Sequence, residues 1–112
     1  MEITTRTIGK CKVLDCSGKL TCGPARMILR QTIREAVRDG TSKVVLNLAD
    51  VVEVDLYGFG EMISGYTHVR NQGGNLVFLN ASIKFCKMVI DAKILTVFEF
   101  FDNEEKALKG CE

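Results

Sequence analysis

No charge of one sign dominates this sequence, in which 15 lysines and arginines face 14 aspartates and glutamates for a formal net charge of +1. A dedicated nucleic-acid binder needs a clustered basic excess to neutralise phosphates, so that class is set aside. Long apolar runs are missing too. No stretch approaches the roughly 20 residues of a membrane span, and the first residues lack the basic-then-apolar order of a signal peptide. A cytoplasmic protein with no direct membrane insertion is therefore expected. There is a single histidine, His68, and the five cysteines, Cys11, Cys16, Cys22, Cys86 and Cys111, contain no CxxC pair. Zinc sites and disulfide frameworks usually show better spacing, so free thiols in a reducing compartment are expected, with no metal and no cofactor. No G-x-x-x-x-G-K-[ST] phosphate loop is present, nor a Ser/His/Asp or Cys/His set in a recognisable local context, and Asp55 alone cannot supply a paired acid and base. The chain is not expected to be an enzyme.

What is present is an ordinary globular composition, 46% apolar and 26% charged over 112 residues, enough for one domain with its own core. Residues 43–74 organise it. Val44, Val45, Leu46 and Leu48 form an apolar run of the kind found in a strand buried on both faces. From Gly58 the period changes, and Phe59, Met62, Ile63, Tyr66 and Val69 recur at helical spacing with Glu61, Ser64, His68 and Arg70 on the other side. Asn71 to Gly74 end that helix. At the junction, residues 55–60, a helix N-terminus follows a buried strand. Such a site can receive an anion or an acidic partner residue, or Asp55 can simply cap the helix while Gly58 and Gly60 permit close packing. Capping is the more ordinary outcome.

The remaining segments arrange themselves around this unit. Residues 2–8 are β-branched and partly alternating, and residues 11–16 read as a second strand able to pair with them as a hairpin, broken by Ser17 and Gly18. Pro24 opens a helix whose apolar face is Ile28, Leu29, Ile33, Ala36 and Val37. Its other side carries Arg26, Arg30, Arg34 and Arg38, a stripe able to meet an acidic partner or an anionic surface but more often just a solvated face balanced by Glu35 and Asp39. Asn75–Leu79 is a further strand, and Asn80 or Ser82 can cap a helix over Ile83–Asp91. Ile94, Leu95, Val97, Phe98, Phe100 and Phe101 make a dense, mostly core segment. Asp102 with Glu105 suggests the cap of a last helix in which Ala107 and Leu108 face inward. Strands alternating with helices after a hairpin predict a mixed sheet with right-handed crossovers.

The Gly18-Lys19-Leu20 turn, the Asp-x-x-Gly-x-Gly arrangement at residues 55–60, the Gly73-Gly74-Asn75-Leu76-Val77 run and the closing FEFFDNEEKAL together resemble a STAS domain over nearly the whole chain. That domain is shared by bacterial anti-sigma factor antagonists and the cytoplasmic tails of sulfate transporters, and the likeness is nearest to the small stand-alone antagonists. It implies a single α/β domain, residues 1–112, with a mixed sheet of four to five strands packed against about four helices. It also implies a regulatory protein-binding module. In the family, an antagonist binds an anti-sigma factor that is also a serine kinase and so releases a sigma factor. Phosphorylation of a serine in an Asp-Ser-Ser-Gly-Leu-Gly loop breaks the complex by adding charge and bulk to the contact.

Carried over by position, Asp55 matches the family aspartate and Gly58 and Gly60 its glycines, while Leu56 and Tyr57 stand where the serines do, Tyr57 at the phosphoacceptor. A serine kinase cannot use leucine, and a tyrosine hydroxyl lies ångströms further out, so serine phosphorylation is expected to be atypical or absent. Three outcomes stay open: a permanently active antagonist anchored through Tyr57 and Phe59, use of another hydroxyl such as Thr21, Ser64 or Tyr57 itself, or a binding module outside sigma control. The expected partner surface is Asp55, Leu56, Tyr57, Gly58, Phe59 and Gly60 with Glu61, Ser64 and His68, supported by Thr21 and Cys22. The expected partner is an anti-sigma factor/serine kinase, and the resemblance leaves room for a homodimer. The alternative is the STAS subunit of a bacterial ABC lipid-transport assembly, which would lean on the arginine stripe.

Overall fold

The computed structural model describes residues 1–94 and 98–111. The chain opens with β1 (Glu2–Ile8) and β2 (Cys11–Leu20), paired antiparallel across a turn at Gly9, whose φ of 57° lies in the left-handed region that glycine tolerates. There follow α1 (Pro24–Arg38), β3 (Lys43–Val54), α2 (Leu56–Asn71), β4 (Asn75–Leu79), α3 (Ile83–Asp91), β5 (Phe100–Phe101) and α4 (Glu104–Ala107). The sheet order is β1-β2-β3-β4-β5, with β2 to β5 parallel. This is the mixed five-stranded architecture with four helices that the sequence led us to expect.

Each new parallel strand is added on the same side of the last. Right-handed crossovers that always step one way leave their helices on one face of the sheet. Accordingly Leu29 and Ile33 of α1, Met62 and Val69 of α2, and Phe85 and Val89 of α3 share one core with Leu14, Val44, Leu46, Leu76 and Phe78. The alternate strand residues Val13, Val45, Val77 and Leu79 point to the opposite face, where they meet Ala107 of α4. The apolar run Val44, Val45, Leu46 is thus buried from both sides, as its lack of alternation predicts.

The structure departs from the sequence reading at several places. Ser17 and Gly18 do not break β2. The strand shifts register between Asp15 and Ser17 and between Gly18 and Lys19, with Gly18 at φ 99°, and runs on to Leu20. That extension gives β3 a partner well past Leu48, so β3 continues to Val54 although its pairing with β4 ends at Asn47. Ser82, not Asn80, caps α3, its hydroxyl accepting the Phe85 N–H at 3.0 Å. The last helix is capped by Asn103, which accepts the Lys106 N–H at 3.1 Å, and not by Asp102. Asn103 offers the same short acceptor one residue later. Phe98 is buried and Phe100 and Phe101 are half-buried, whereas Leu95 and Val97 lie outside the described residues.

The expectation of five free thiols is corrected. Cys11 and Cys111 form a disulfide, with Cα atoms 5.4 Å apart, while Cys16, Cys22 and Cys86 are free. The two residues are 100 positions apart in sequence, and only the folding of α4 against the rear of the sheet brings them together. The Lys10 N–H donates to the Cys111 carbonyl at 2.8 Å, and Lys43 Nζ donates to the Ala107 and Lys109 carbonyls at 3.1 and 3.3 Å, which further fixes this end. Cys16, inside the main core, is inert as a nucleophile because burial pushes its thiol up to about 12.

A polar network also ties α4 to the sheet. Arg6 Nε and Nη2 donate to the two Asp15 oxygens at 2.6 and 3.0 Å, and its Nη1 and Nη2 donate to Glu104 at 3.2 and 2.5 Å. Asn47 Nδ2 adds a third bond to Asp15 at 2.8 Å. The hydrogen bonds from Arg6 hold the Asp15 and Glu104 carboxyls below their ordinary values, and the two carboxylates raise Arg6. A carboxylate with a depressed folded pKa contributes stability above its unfolded value, and that stability is lost as pH falls through the folded one. Stability should therefore decline as pH drops below about 4. Arg6→Gln should cost about 1 kcal/mol at pH 7, modest because the triad is partly solvated, and should flatten that acid limb. Urea titrations from neutral to acid pH measure both, and parallel curves for the two proteins would count against the triad.

Candidate functional site

The parallel strands place their carboxyl ends together, and with them the β2–α1 loop, the β3–α2 junction and the start of α3. Together these loops and helix starts form one rim of the molecule. At its centre is Asp55, the N-cap of α2. Its Oδ1 accepts the Gly58 N–H at 2.8 Å and its Oδ2 accepts the Cys22 N–H at 3.0 Å, so one carboxylate ties two loops. The Gly58 N–H is the main cause that lowers this carboxyl below its ordinary value, with the Cys22 and Tyr57 N–H groups and Arg26 adding to it. The capping role weighed from the sequence is thus the one observed. The helix N-terminus is occupied by the chain's own carboxylate, and an incoming anion would have to displace it.

The first turn of α2 divides sharply. Leu56 (77% exposed) and Tyr57 (59%) point out, and Gly60 is open to solvent, while Gly58 and Phe59 point in. Phe59 is 7% exposed and meets the Phe85 ring edge-on at 5.8 Å. It is a core residue, which corrects its expected role as an aromatic anchor for a partner. Tyr57 keeps that capacity. Its ring lies under the Arg26 guanidinium, 5.6 Å from the centroid, a cation–π contact that limits the ring's freedom without covering it. Thr21 is half-buried and Cys22 exposed in the adjoining loop.

Further along α2 the expected exposed face is only partly exposed. Ser64 is open, His68 is half-buried, and Glu61 is 4% exposed. Arg30 Nε and Nη2 donate to Glu61 at 3.2 and 2.9 Å, and Arg26 Nε lies 3.8 Å from the same carboxylate. The reading of Glu61 as a partner-facing residue is corrected, because α2 is covered by the sheet on one side and by α1 on another. The arginine stripe changes with it. Arg26 and Arg30 answer a buried carboxylate of the same chain rather than forming part of a uniform solvated face.

The sequence reading named Leu56 and Tyr57 at this end but missed the other apolar side chains exposed beside them. Seven large apolar residues are exposed among those described, and six of them, Met27, Ile28, Val52, Leu56, Tyr57 and Ile83, lie on the first turns of α1, α2 and α3 or the last residues of β3. Val52 (75% exposed) lines a cleft of about 140 Å³ between the distal half of β3 and α3, walled by Leu48, Val54, Phe85 and Met88, and Ile83 (90%) stands at the start of α3 between Ser82 and Lys84 of its lining. The signal was available. Val51 and Val52 are strand neighbours and must face opposite ways, and Ile83 stands off the stripe formed by Phe85 and Val89.

Solved structures share this architecture. An anti-sigma factor antagonist from Mycobacterium paratuberculosis superposes with a TM-score of 0.80 at 15% identity, over 98% of this chain and 92% of that one. The Bacillus cell fate determinant SpoIIAA in its phosphorylated form gives 0.77 at 18% identity, over 96% of both chains. A Thermotoga maritima protein described as a candidate anti-sigma factor antagonist gives 0.86 at 14% identity, over 97% of this chain and 93% of that one. At identities this low the superpositions establish a common fold alone. The sequence itself matches the family model of the STAS domain over residues 2–107. Because that match runs from the first residue of β1 to the last of α4, the chain belongs to the STAS domain family.

Proposed function

We propose that this chain is a regulatory protein-binding module that docks on an anti-sigma factor/serine kinase through the rim around Leu56 and Tyr57, frees a sigma factor, and acts in the cytoplasm by binding and not by turnover. The observation that carries this reading is the concentration of exposed apolar side chains at one end of the molecule, where six of the seven among the described residues gather. An exposed cluster of this kind with an aromatic residue near its centre is the anatomy of a protein contact. Structural neighbours named as anti-sigma factor antagonists support that partner class. Asp55 acts as a positioning residue that holds the two loops in register.

The switch differs from that of the serine-bearing relatives. Leu56 and Tyr57 offer no serine hydroxyl at the start of α2, so the complex is not dissolved by serine phosphorylation there and the module stays competent. The transport-assembly alternative relied on the arginine stripe, and pairing of Arg26 and Arg30 with Glu61 removes half of that support.

Capture from a native lysate with wild-type protein and a Tyr57→Glu variant, followed by mass spectrometry of bait and partners, tests this reading. Wild type should recover a kinase-like anti-sigma factor, the variant should lose it at least about tenfold because a charge replaces a central aromatic contact, and the bait should carry no phosphate. Recovery of transporter subunits instead, or phosphate on Tyr57, would overturn the reading.

A further inference from the structure

The helices α1 and α2 lie close because α2 carries Gly65 opposite Ile33, whose Cδ1 would sit 2.6 Å from a Cβ at that position. Above this contact a polar groove runs between them, away from the Tyr57 end. Its first part, a cleft of about 290 Å³, is lined by Arg30, Arg34, Glu61, Ser64 and His68, and it continues past Arg38 and Gln72. Three guanidiniums therefore face one carboxylate. Arg30 is engaged by Glu61, and Arg34 has no ion pair among the described residues. Asp39 draws on Arg38 only weakly, since Lys12 Nζ holds that carboxylate at 2.5 Å. The unspent positive charge sits at one end of the groove, with the half-buried His68 across from it on α2.

We infer that the Arg34, Arg38 and His68 end of this groove is a docking site for an acidic segment of a partner protein. The two arginines are one helical turn apart, about 6 Å between Cβ atoms, a spacing that suits successive carboxylates along one segment better than a single small ion. Guanidinium forks pair with carboxylates in two-bond geometry. Arg34 and Arg38 are exposed at the mouth of the groove with the half-buried His68 beside them, so an extended segment can lie along the two arginines while its side chains reach inward. It lies roughly 16 Å along α2 from Tyr57, from the helical rise over eleven residues. A partner reaching both would be held by an apolar contact at one end and an ionic one at the other. The groove stands independently of which partner the rim binds.

Fluorescence anisotropy with a labelled decaglutamate peptide tests this, with decaglutamine as the uncharged control. Wild type should bind decaglutamate, more weakly as salt rises, and should ignore decaglutamine. The double variant Arg34→Gln/Arg38→Gln should bind about tenfold more weakly, with a melting midpoint little changed because neither guanidinium has an ion pair among the described residues to lose. Arg70→Glu changes the net charge equally but lies outside the groove lining, and should alter affinity less than about twofold. Equal losses in the two variants would show a diffuse charge effect and overturn the assignment. So would equal binding of decaglutamine, or retention on phosphatidylserine vesicles through Arg34 and Arg38 without peptide binding. The titration uses no anti-sigma factor, so its failure leaves the rim reading standing, and failure of the lysate capture leaves the groove standing.

Discussion

Gly58→Ala is expected to destabilise the fold by about 3 kcal/mol, a cost in the range of overpacked cores, while Gly60→Ala two residues on is expected to stabilise it by up to about 1 kcal/mol. A Cβ at Gly58 would stand 2.0 Å from the Leu20 carbonyl oxygen and 2.8 Å from its carbon. The obstacle is backbone and cannot rotate away. Nor can it easily retreat, because the same carbonyl accepts the Asp55 N–H at 3.3 Å and belongs to the strand that carries β3 past Leu48. At Gly60 no heavy atom lies within 4 Å of the added carbon, so only the helical preference of alanine remains. Urea unfolding of the two variants beside wild type separates these effects. A stabilised Gly58→Ala protein would mean that the β2 end and the α2 start do not touch as described. The expectation that both glycines permit close packing is thereby divided: Gly58 makes room for the chain itself, and Gly60 faces solvent.

Removing the Cys11–Cys111 bridge is the second large effect. A cross-link closing a loop of 100 residues restricts the unfolded chain strongly, and loss of such bridges typically costs about 2–5 kcal/mol. Cys111→Ser in the oxidised protein should fall in that range, and dithiothreitol should bring wild type down to the variant while leaving the variant unmoved. Cys22→Ser, at an exposed free thiol, should change little. Coincident unfolding curves for oxidised wild type and Cys111→Ser would sink the account. In a glutathione-reduced compartment the pair rests as two thiols, and the predicted gap is then the difference in stability between the two redox forms.

The sequence disclosed those parts of the fold whose burial follows one simple period. Val44 to Leu46 and Leu76 to Leu79 are buried on both faces and read as unbroken apolar runs, and the hairpin, the Pro24 helix start and the Asp55 cap carried local chemical signals. Glu61 did not fit that logic. A helix packed on a sheet has one buried stripe, but α2 also packs on α1, and the second stripe holds a carboxylate whose partners, Arg26 and Arg30, come from another helix. Phe59 was read correctly as buried by period and then miscast as an anchor, since one side chain cannot serve the core and the surface at once. The distal half of β3 escaped notice because Ala49, Asp50, Val52 and Glu53 are exposed and their strand geometry depends on the continuation of β2. Cys11 and Cys111 have no local signal at all. Their meeting is decided by where the final helix lands.

The same bridge bears on how the protein could be dismantled. For an unfoldase pulling from the C-terminal side, force reaching Cys111 passes through sulfur to Cys11 and bypasses the chain between them, a sequence separation of 100. The strands of the sheet would then be loaded as a closed ring and not drawn out one by one. The machine would have to thread a doubled chain or wait for reduction, so the thiol chemistry of its surroundings would set the lifetime of the molecule as well as its stability.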